Sequence, residues 1–179
     1  MTGTDRVADM VHVTRWRWGA KEWSPFSAGE MDRRQNALRT HMAAEGIDAC
    51  LLTSYQNICY HSGWIYCFFG RKYGMVIDAD QATTISAGID GGQPWRRTHG
   101  DNVVYSDWRR DNYYVAVRDL TGGVNRLGVE FDHLSVDQFR ALESALPGVE
   151  LVDVGTATMW MRTIKSAEEH DLIRHGARI

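Results

Sequence analysis

The 179-residue sequence is 44% hydrophobic and 24% charged, and its net charge is -3. These values indicate one globular domain with some extra residues at the ends, and they exclude a disordered chain. The weak negative charge gives no general attraction to nucleic acid or to an anionic membrane. No apolar run approaches the ~20 residues of a membrane span, and the N-terminus lacks the apolar stretch of a signal peptide. We therefore expect a cytoplasmic protein that binds neither nucleic acid nor membrane.

Residues 1–24 differ in pattern from the rest of the chain. They mix charged residues with Trp16, Trp18 and Trp23, and they show no clear period. Tryptophans on a terminal arm usually need apolar surface to cover them. We expect an arm that packs on its own domain or on a partner subunit, and a mobile tail is the alternative.

From residue 25 to residue 160 the chain alternates between helical and extended patterns. Ser27 and Glu30 form a capping-box sequence that opens a helix ending near Gly46, and Ser135 and Gln138 form a second box. Helices are also predicted at 112–120 and as a short turn at 57–63, strands at 49–53, 73–79, 82–87, 103–106, 127–131 and 150–154, and a loop at 90–94. The fold class is therefore α/β, with a mixed sheet of about six strands and helices on both faces.

The segment after residue 160 is helical in pattern. Ser166 and Glu169 form a third capping box, and Leu172 and Ile173 form an apolar face on the helix that follows. The predicted helix continues to Arg178, one residue before the end, without a capping residue or a partner for this face. This pattern indicates a boundary inside a longer protein.

No complete active site can be recognised in the sequence. It contains no H-E-x-x-H, no His and Cys set with zinc spacing, no G-x-S-x-G, no Walker loop and no G-x-G-x-x-G. Three cysteines, Cys50, Cys59 and Cys67, form no C-x-x-C pair and indicate reduced, partly buried thiols. We expect neither a metal nor a cofactor in this chain.

Arginines and aromatic residues are interleaved in two stretches. Arg96 and Arg97 follow Trp95, and Arg109 and Arg110 follow Trp108. Nucleic-acid binding is one interpretation, but neighbouring aspartates cancel much of the charge. Surface ion pairs or a subunit interface are favoured, since Arg, Tyr and Trp are enriched at interfaces.

The sequence Phe68-Phe69-Gly70-Arg71 is a candidate ligand site. An arginine beside aromatic rings can hold a carboxylate through two parallel hydrogen bonds, while the rings pack on the rest of the ligand. A core Phe pair followed by a surface arginine is the alternative interpretation of the same residues.

Five stretches of the sequence resemble the creatinases, within the creatinase/prolidase/aminopeptidase P superfamily. They are Thr53–Ile58, Tyr66–Tyr73, Ile89–Thr98, Val104–Tyr113 and Met161–His170. The last stretch resembles the hinge that joins two domains throughout the superfamily, and the third and fourth are more specific to creatinases. The resemblance implies a ribonuclease H-like N-terminal domain over 25–160, and a hinge and first helix over 161–179 that lead to a catalytic pita-bread domain outside this chain.

The resemblance also implies an activity and a site. Creatinases hydrolyse creatine to sarcosine and urea as homodimers and without a metal, and their catalytic histidine and acidic residues lie in the pita-bread domain. The N-terminal domain of one subunit lends a phenylalanine and an arginine to the substrate in the other subunit, and Phe69 and Arg71 match these two residues. Lys72 stands where the creatinase pattern has proline, and Phe68 stands where it has a small polar residue.

Two other functions remain open from the sequence. One is the N-terminal domain of a metal-dependent, proline-specific peptidase of the same superfamily, whose hinge would look similar. The other is a stand-alone dimerisation or binding module without an attached enzyme.

Overall fold

A computed structural model describes residues 12–22, 24–67, 70–106 and 111–179. Within these ranges, seven strands form one mixed sheet in the order β1-β5-β4-β3-β2-β6-β7. The strands are β1 (Val13–Thr14), β2 (Ala49–Leu52), β3 (Gly74–Asp78), β4 (Ala82–Ala87), β5 (Asp101–Tyr105), β6 (Arg126–Val129) and β7 (Glu150–Asp153). The α-helices are α1 (Ala28–Glu45), α2 (Tyr55–Ser62), α3 (Gln93–Arg97), α4 (Asn112–Leu120), α5 (Val136–Ala145), α6 (Gly155–Thr163) and α7 (Ala167–Gly176). The predicted α/β class and mixed sheet are confirmed, and the strand beyond the expected six is the two-residue β1.

The central strand β2 is buried on both faces of the sheet. Ala49 and Leu51 belong to the core that α4 and α5 cover, whereas Cys50 and Leu52 belong to the core beneath α1 and α2. Side chains alternate between the two faces of a strand, so a continuous apolar run indicates a strand covered on both sides. The predicted helices on both faces are therefore confirmed.

Strand directions determine where a site can form. β2 is parallel to β6, and β6 to β7, while β3 runs antiparallel to its neighbours β2 and β4, and β4 is parallel to β5. The carboxyl ends of β2, β4, β5, β6 and β7 therefore share one edge of the sheet, and β3 begins at that edge. Crevices beyond the carboxyl ends of strands are common ligand sites in α/β proteins.

Residues 12–22 of the N-terminal arm pack on their own domain. The Lys21 ammonium donates hydrogen bonds to the carbonyl oxygens of Trp95, Thr98 and Gly100 at 2.7, 2.8 and 2.7 Å, and it lies 3.6 Å from the Trp95 ring centroid. Burial lowers the pKa of Lys21 to about 8. Trp18 nevertheless remains 79% exposed. The division of the chain at residue 24 stays a prediction, and Trp23 lies outside the described residues.

The C-terminal helix α7 is fastened to the N-terminus of α1. Ser27 donates from its backbone N–H and from its hydroxyl to the Glu168 carboxylate, at 2.9 and 2.6 Å. The guanidinium of Arg34, which is 2% exposed, contacts the carboxylates of Glu30 and Glu169 at 2.7 and 3.3 Å. These contacts join two segments that are about 140 residues apart in the sequence.

Two of the three predicted capping boxes are complete. Both reciprocal hydrogen bonds are present at Ser135 and at Ser166. At Ser27 the side chain accepts from the Glu30 N–H, but the Glu30 carboxylate pairs with arginines of its own helix. Glu168 of α7 accepts from the Ser27 N–H instead, so the sequence pattern correctly predicts only one of the two hydrogen bonds of this box.

Several predicted boundaries differ from the structure by one or two residues, among them those of the 90–94 loop and of the last helix. The loop expected at 90–94 is shorter, because α3 begins at Gln93 and Pro94 lies in its first turn, where a proline is tolerated. The last helix was expected to continue to Arg178, but it ends at Gly176. Along the part of the chain that the structure describes, no helix has both the length and the apolar character needed to cross a membrane.

His61 of α2 is fully buried in the core. Among the described residues, neither of its ring nitrogens has a hydrogen-bond partner. Burial, together with the nearby guanidinium of Arg34, lowers the pKa of His61 to about 3. Because the unfolded chain binds a proton at this histidine more readily, protonation favours unfolding as the pH falls from about 6.5 towards 3.

We expect a His61→Phe variant of the chain to lose part of the acid sensitivity of the parent. As the pH falls from 6.5 to about 5, His61 should lower the free energy of unfolding of the parent by about 2 kcal/mol. This part of the pH dependence should disappear in the variant. Urea unfolding at both pH values measures it. His170→Gln, at an exposed histidine, is the matched control, and an unchanged slope in His61→Phe would contradict the assignment.

Candidate functional site

Arg71 lies at the sheet edge where five strands end. It precedes β3 by three residues and is partly buried. Its positive charge acts on the neighbouring phenol of Tyr105: burial raises the pKa of Tyr105 to about 12, and the guanidinium lowers it in part. The arginine predicted as a carboxylate ligand therefore stands beside aromatic rings at the edge where α/β proteins commonly bind ligands.

A cleft of about 240 Å³ contains the segment around Arg71. Its walls come from the segment itself, from the end of β2, from α4, and from the turn and helix that follow β6. The lining residues are Leu51, Thr53, Gly70, Arg71, Lys72, Tyr73, Tyr113, Tyr114, His133, Leu134, Gln138 and Leu142. This mixture of apolar walls and a few polar or charged groups suits a small polar ligand.

Two tyrosines hold the backbone directly after Arg71. The Tyr105 hydroxyl donates to the carbonyl oxygen of Lys72 at 2.9 Å, and the Tyr113 hydroxyl donates to that of Tyr73 at 3.2 Å. Tyr105 and Tyr113 are 2% and 4% exposed, so both donors come from the core. A buried hydroxyl with a backbone acceptor fixes the path of the chain at that point.

A buried carboxylate organises the opposite wall of the cleft. Glu130, 2% exposed, follows β6, and it accepts hydrogen bonds from the N–H groups of Thr53 and Ser54 at 2.5 and 2.9 Å. It also accepts from the Ser54 hydroxyl and from the Asn57 amide, both at 2.5 Å. Thr53 and Ser54 belong to the turn between β2 and α2, and Asn57 lies in the first turn of α2, so the negative charge also lies at the N-terminus of a helix. Nothing in the sequence pattern singled out Glu130.

The other predicted functional residues have different outcomes. Phe69, the second candidate ligand residue, lies outside the described residues, as do Phe68, Arg109 and Arg110. Arg96 and Arg97 form surface ion pairs with Glu22 at 2.5 and 2.9 Å, which is the interpretation that the sequence favoured. Within the described ranges, no group of three or more His, Cys, Asp or Glu side chains could hold a metal ion.

The three cysteines are free thiols. Cys50 is buried in the core, Cys59 is half-buried and Cys67 is exposed. Burial raises the pKa of Cys50 to about 12, so its thiol stays protonated near neutral pH. The burial of Cys50 and Cys59 agrees with the predicted partly buried thiols, whereas Cys67 is more exposed than the sequence indicated.

Comparison with known proteins assigns the fold to a family. A sequence profile of the Creatinase/Prolidase N-terminal domain matches residues 34–164. The chain belongs to the creatinase/prolidase N-terminal domain family. The match covers the sheet from β2 to β7 and the cleft that contains Arg71.

Two curated relatives differ in how closely they match. Creatinase of Bacillus sp. (strain B-0618) is 50% identical over 179 residues, which cover 97% of this chain and 44% of that protein. The uncharacterized peptidase YqhT of Bacillus subtilis (strain 168) is 26% identical over 148 residues, covering 79% of this chain and 39% of that protein. The chain therefore spans less than half the length of these relatives.

Solved structures support the same family. A proline dipeptidase from Streptococcus pneumoniae TIGR4 superposes with a TM-score of 0.66 and 19% identity, covering 73% of this chain and 98% of that chain. The N-terminal domain of the cytoplasmic peptidase PepQ from Mycobacterium tuberculosis H37Rv gives 0.59 and 29%, with the same two coverages. Members of the creatinase/prolidase family thus share this sheet, while the likeness at 19% identity concerns the fold alone.

We expect Glu130→Gln to destabilise the isolated chain strongly. The substitution keeps the size of the side chain but removes the charge and one acceptor, so that at least one buried donor loses its partner. The expected loss is about 3 kcal/mol in the free energy of unfolding, measured with urea. Glu143→Gln, an exposed change on α5, is the control, and equal stability of the two variants would contradict a structural role for the Glu130 carboxylate.

Proposed function

We propose that this chain is the N-terminal substrate-gating and dimerisation domain of a creatinase-like hydrolase. The full enzyme would convert creatine and water to sarcosine and urea. Two observations support this: the 50% identity to a Creatinase along nearly the whole chain, and the position of Arg71 in a cleft at the sheet edge. The proposal depends mainly on the position of Arg71, because this residue would contact the substrate.

Arg71 would hold the carboxylate of creatine. Its planar guanidinium can donate two parallel hydrogen bonds to one carboxylate, a geometry that a lysine ammonium cannot reproduce. Phe69 would pack on the remainder of the substrate. Fixing the carboxylate end places the guanidino carbon where water attacks, so the contribution of this domain is positioning rather than bond chemistry.

The catalytic groups would lie on other parts of the assembly. In this proposal a histidine on a C-terminal pita-bread domain acts as general base and then as general acid. Arg71 and Phe69 of one subunit complete the active site of the second subunit in a cytoplasmic homodimer. No metal takes part in the proposed reaction.

A metal-dependent, proline-specific peptidase is the second candidate function. The fold likeness to the proline dipeptidase favours it, although that protein is only 19% identical. Treatment of the full-length protein with a chelator separates the candidates, because peptidase activity would be lost and creatine hydrolysis would not. A stand-alone dimerisation module would show neither activity, and the intact mass of the native protein would then match 179 residues.

We expect Arg71→Ala in the full-length enzyme to raise the KM for creatine strongly and to lower kcat as well. Loss of a charged, partly buried hydrogen-bond pair corresponds to about 2–5 kcal/mol in kcat/KM. Steady-state release of urea measures both constants. Arg118→Ala, at the opposite end of α4 from the cleft, is the control. Unchanged kinetics of Arg71→Ala would refute the proposed contact between Arg71 and the creatine carboxylate.

The isolated 179-residue chain should be inactive. The proposed catalytic histidine belongs to another domain, and this chain would contribute only substrate positioning. Incubation of the purified chain with creatine should therefore release no urea above the rate without protein. Measurable, protein-dependent release would mean that a complete active site exists within these residues.

A further inference from the structure

A lysine next to Arg71 joins the arginine-bearing segment to helix α4. The Lys72 ammonium donates a hydrogen bond to a carboxylate oxygen of Asp111 at 2.7 Å, and it lies 4.7 Å from the Tyr114 ring centroid. The contact bridges two residues 39 positions apart in the sequence. This contact involves the side chain of Lys72. The hydroxyls of Tyr105 and Tyr113, in contrast, donate to the backbone carbonyl oxygens of the segment.

Gly70, directly before Arg71, has space around it. Gly70 adopts a φ of +71°, and a Cβ atom built there would meet no heavy atom within 4 Å. A glycine in open space leaves the chain free to rotate at that point. On the other side of Arg71, the contacts of Lys72 and Tyr73 fix the path of the chain.

Asp111 has an unusual conformation for its position. It occupies the N-cap of α4, where an aspartate normally accepts a hydrogen bond from the first turn, but its side chain makes no such bond. Its φ is 54°, and it is the one non-glycine with positive φ among the described residues. A positive φ is uncommon for a non-glycine residue, although aspartate adopts it more readily than most. The Asp111 carboxylate thus contacts Lys72 in place of its own helix.

We propose that Lys72 and Asp111 form a positioning pair that orients Arg71 for the substrate carboxylate. The proposal rests on the function proposed above. The pair is partly exposed, with side chains 37% and 65% accessible, so it contributes little to the stability of the fold. Its effect appears instead in substrate binding, since a rotated guanidinium no longer presents both donors to one carboxylate.

The test uses full-length enzyme and creatine as the probe. Lys72→Met and Asp111→Asn should each raise KM about fivefold and leave kcat nearly unchanged, as expected for loss of one exposed ion pair. The double variant should show the same KM as either single variant, because both remove one interaction. Lys72→Arg, which retains the pair, should keep the parent KM. Arg118→Met removes an exposed cation from the far end of α4 and serves as the matched control.

The outcomes separate this inference from the proposed function. If Arg71→Ala raises KM and the Lys72 and Asp111 variants do not, the positioning role of the pair is overturned, while the proposed binding of the creatine carboxylate by Arg71 stands. If Arg71→Ala has no effect, both fail. Additive effects of the two single substitutions would also overturn the pair, since they would indicate independent roles. Thermal unfolding of each variant within about 1 °C of the parent excludes a general loss of folding as the cause.

Discussion

The buried carboxylate of Glu130 is the interaction on which the site depends most. It satisfies four donors from Thr53, Ser54 and Asn57, so that the ends of β2 and β6 and the start of α2 are held as one unit. A charge without partners in such a place would be very costly, whereas a fully hydrogen-bonded one makes the local structure specific. Thr53 is also a wall of the cleft, and its hydroxyl lies 2.9 Å from a ring nitrogen of His133. The shape of the cleft therefore depends in part on a buried group that does not itself line the cleft.

Around this rigid wall, the arginine-bearing segment is held by a few weaker contacts. Two tyrosine hydroxyls and one ion pair hold the residues that follow Arg71, and a glycine in open space precedes it. This division suits a residue that must reach a substrate on another polypeptide segment, as the proposed function requires. Binding residues are often found on loops that a rigid scaffold positions.

The junction between α1 and α7 is the second organised region of the chain. The guanidinium of Arg34 is stacked between the rings of Phe26 and Tyr60, at 3.8 and 4.4 Å from their centroids, and it also pairs with Glu169. Buried charges of this kind are stable only with all their partners in place. The direction in which α7 leaves the domain is thus set by the body of the domain rather than by the short segment between α6 and α7.

Local patterns in the sequence determined most element types, the two-faced sheet and the candidate residue Arg71, but not the strand β1 or the helix α3. Ala49 to Leu52 is a continuous apolar run, and the serine caps mark helix starts, because both signals depend on neighbours a few residues away. Only the tertiary structure revealed Glu130, the Lys72–Asp111 pair and the completion of the Ser27 cap by Glu168. Each of these joins residues that are 39 to 141 positions apart, and no periodicity or local spacing encodes such contacts. They form only when the strand order brings distant chain segments to the same edge or helix end.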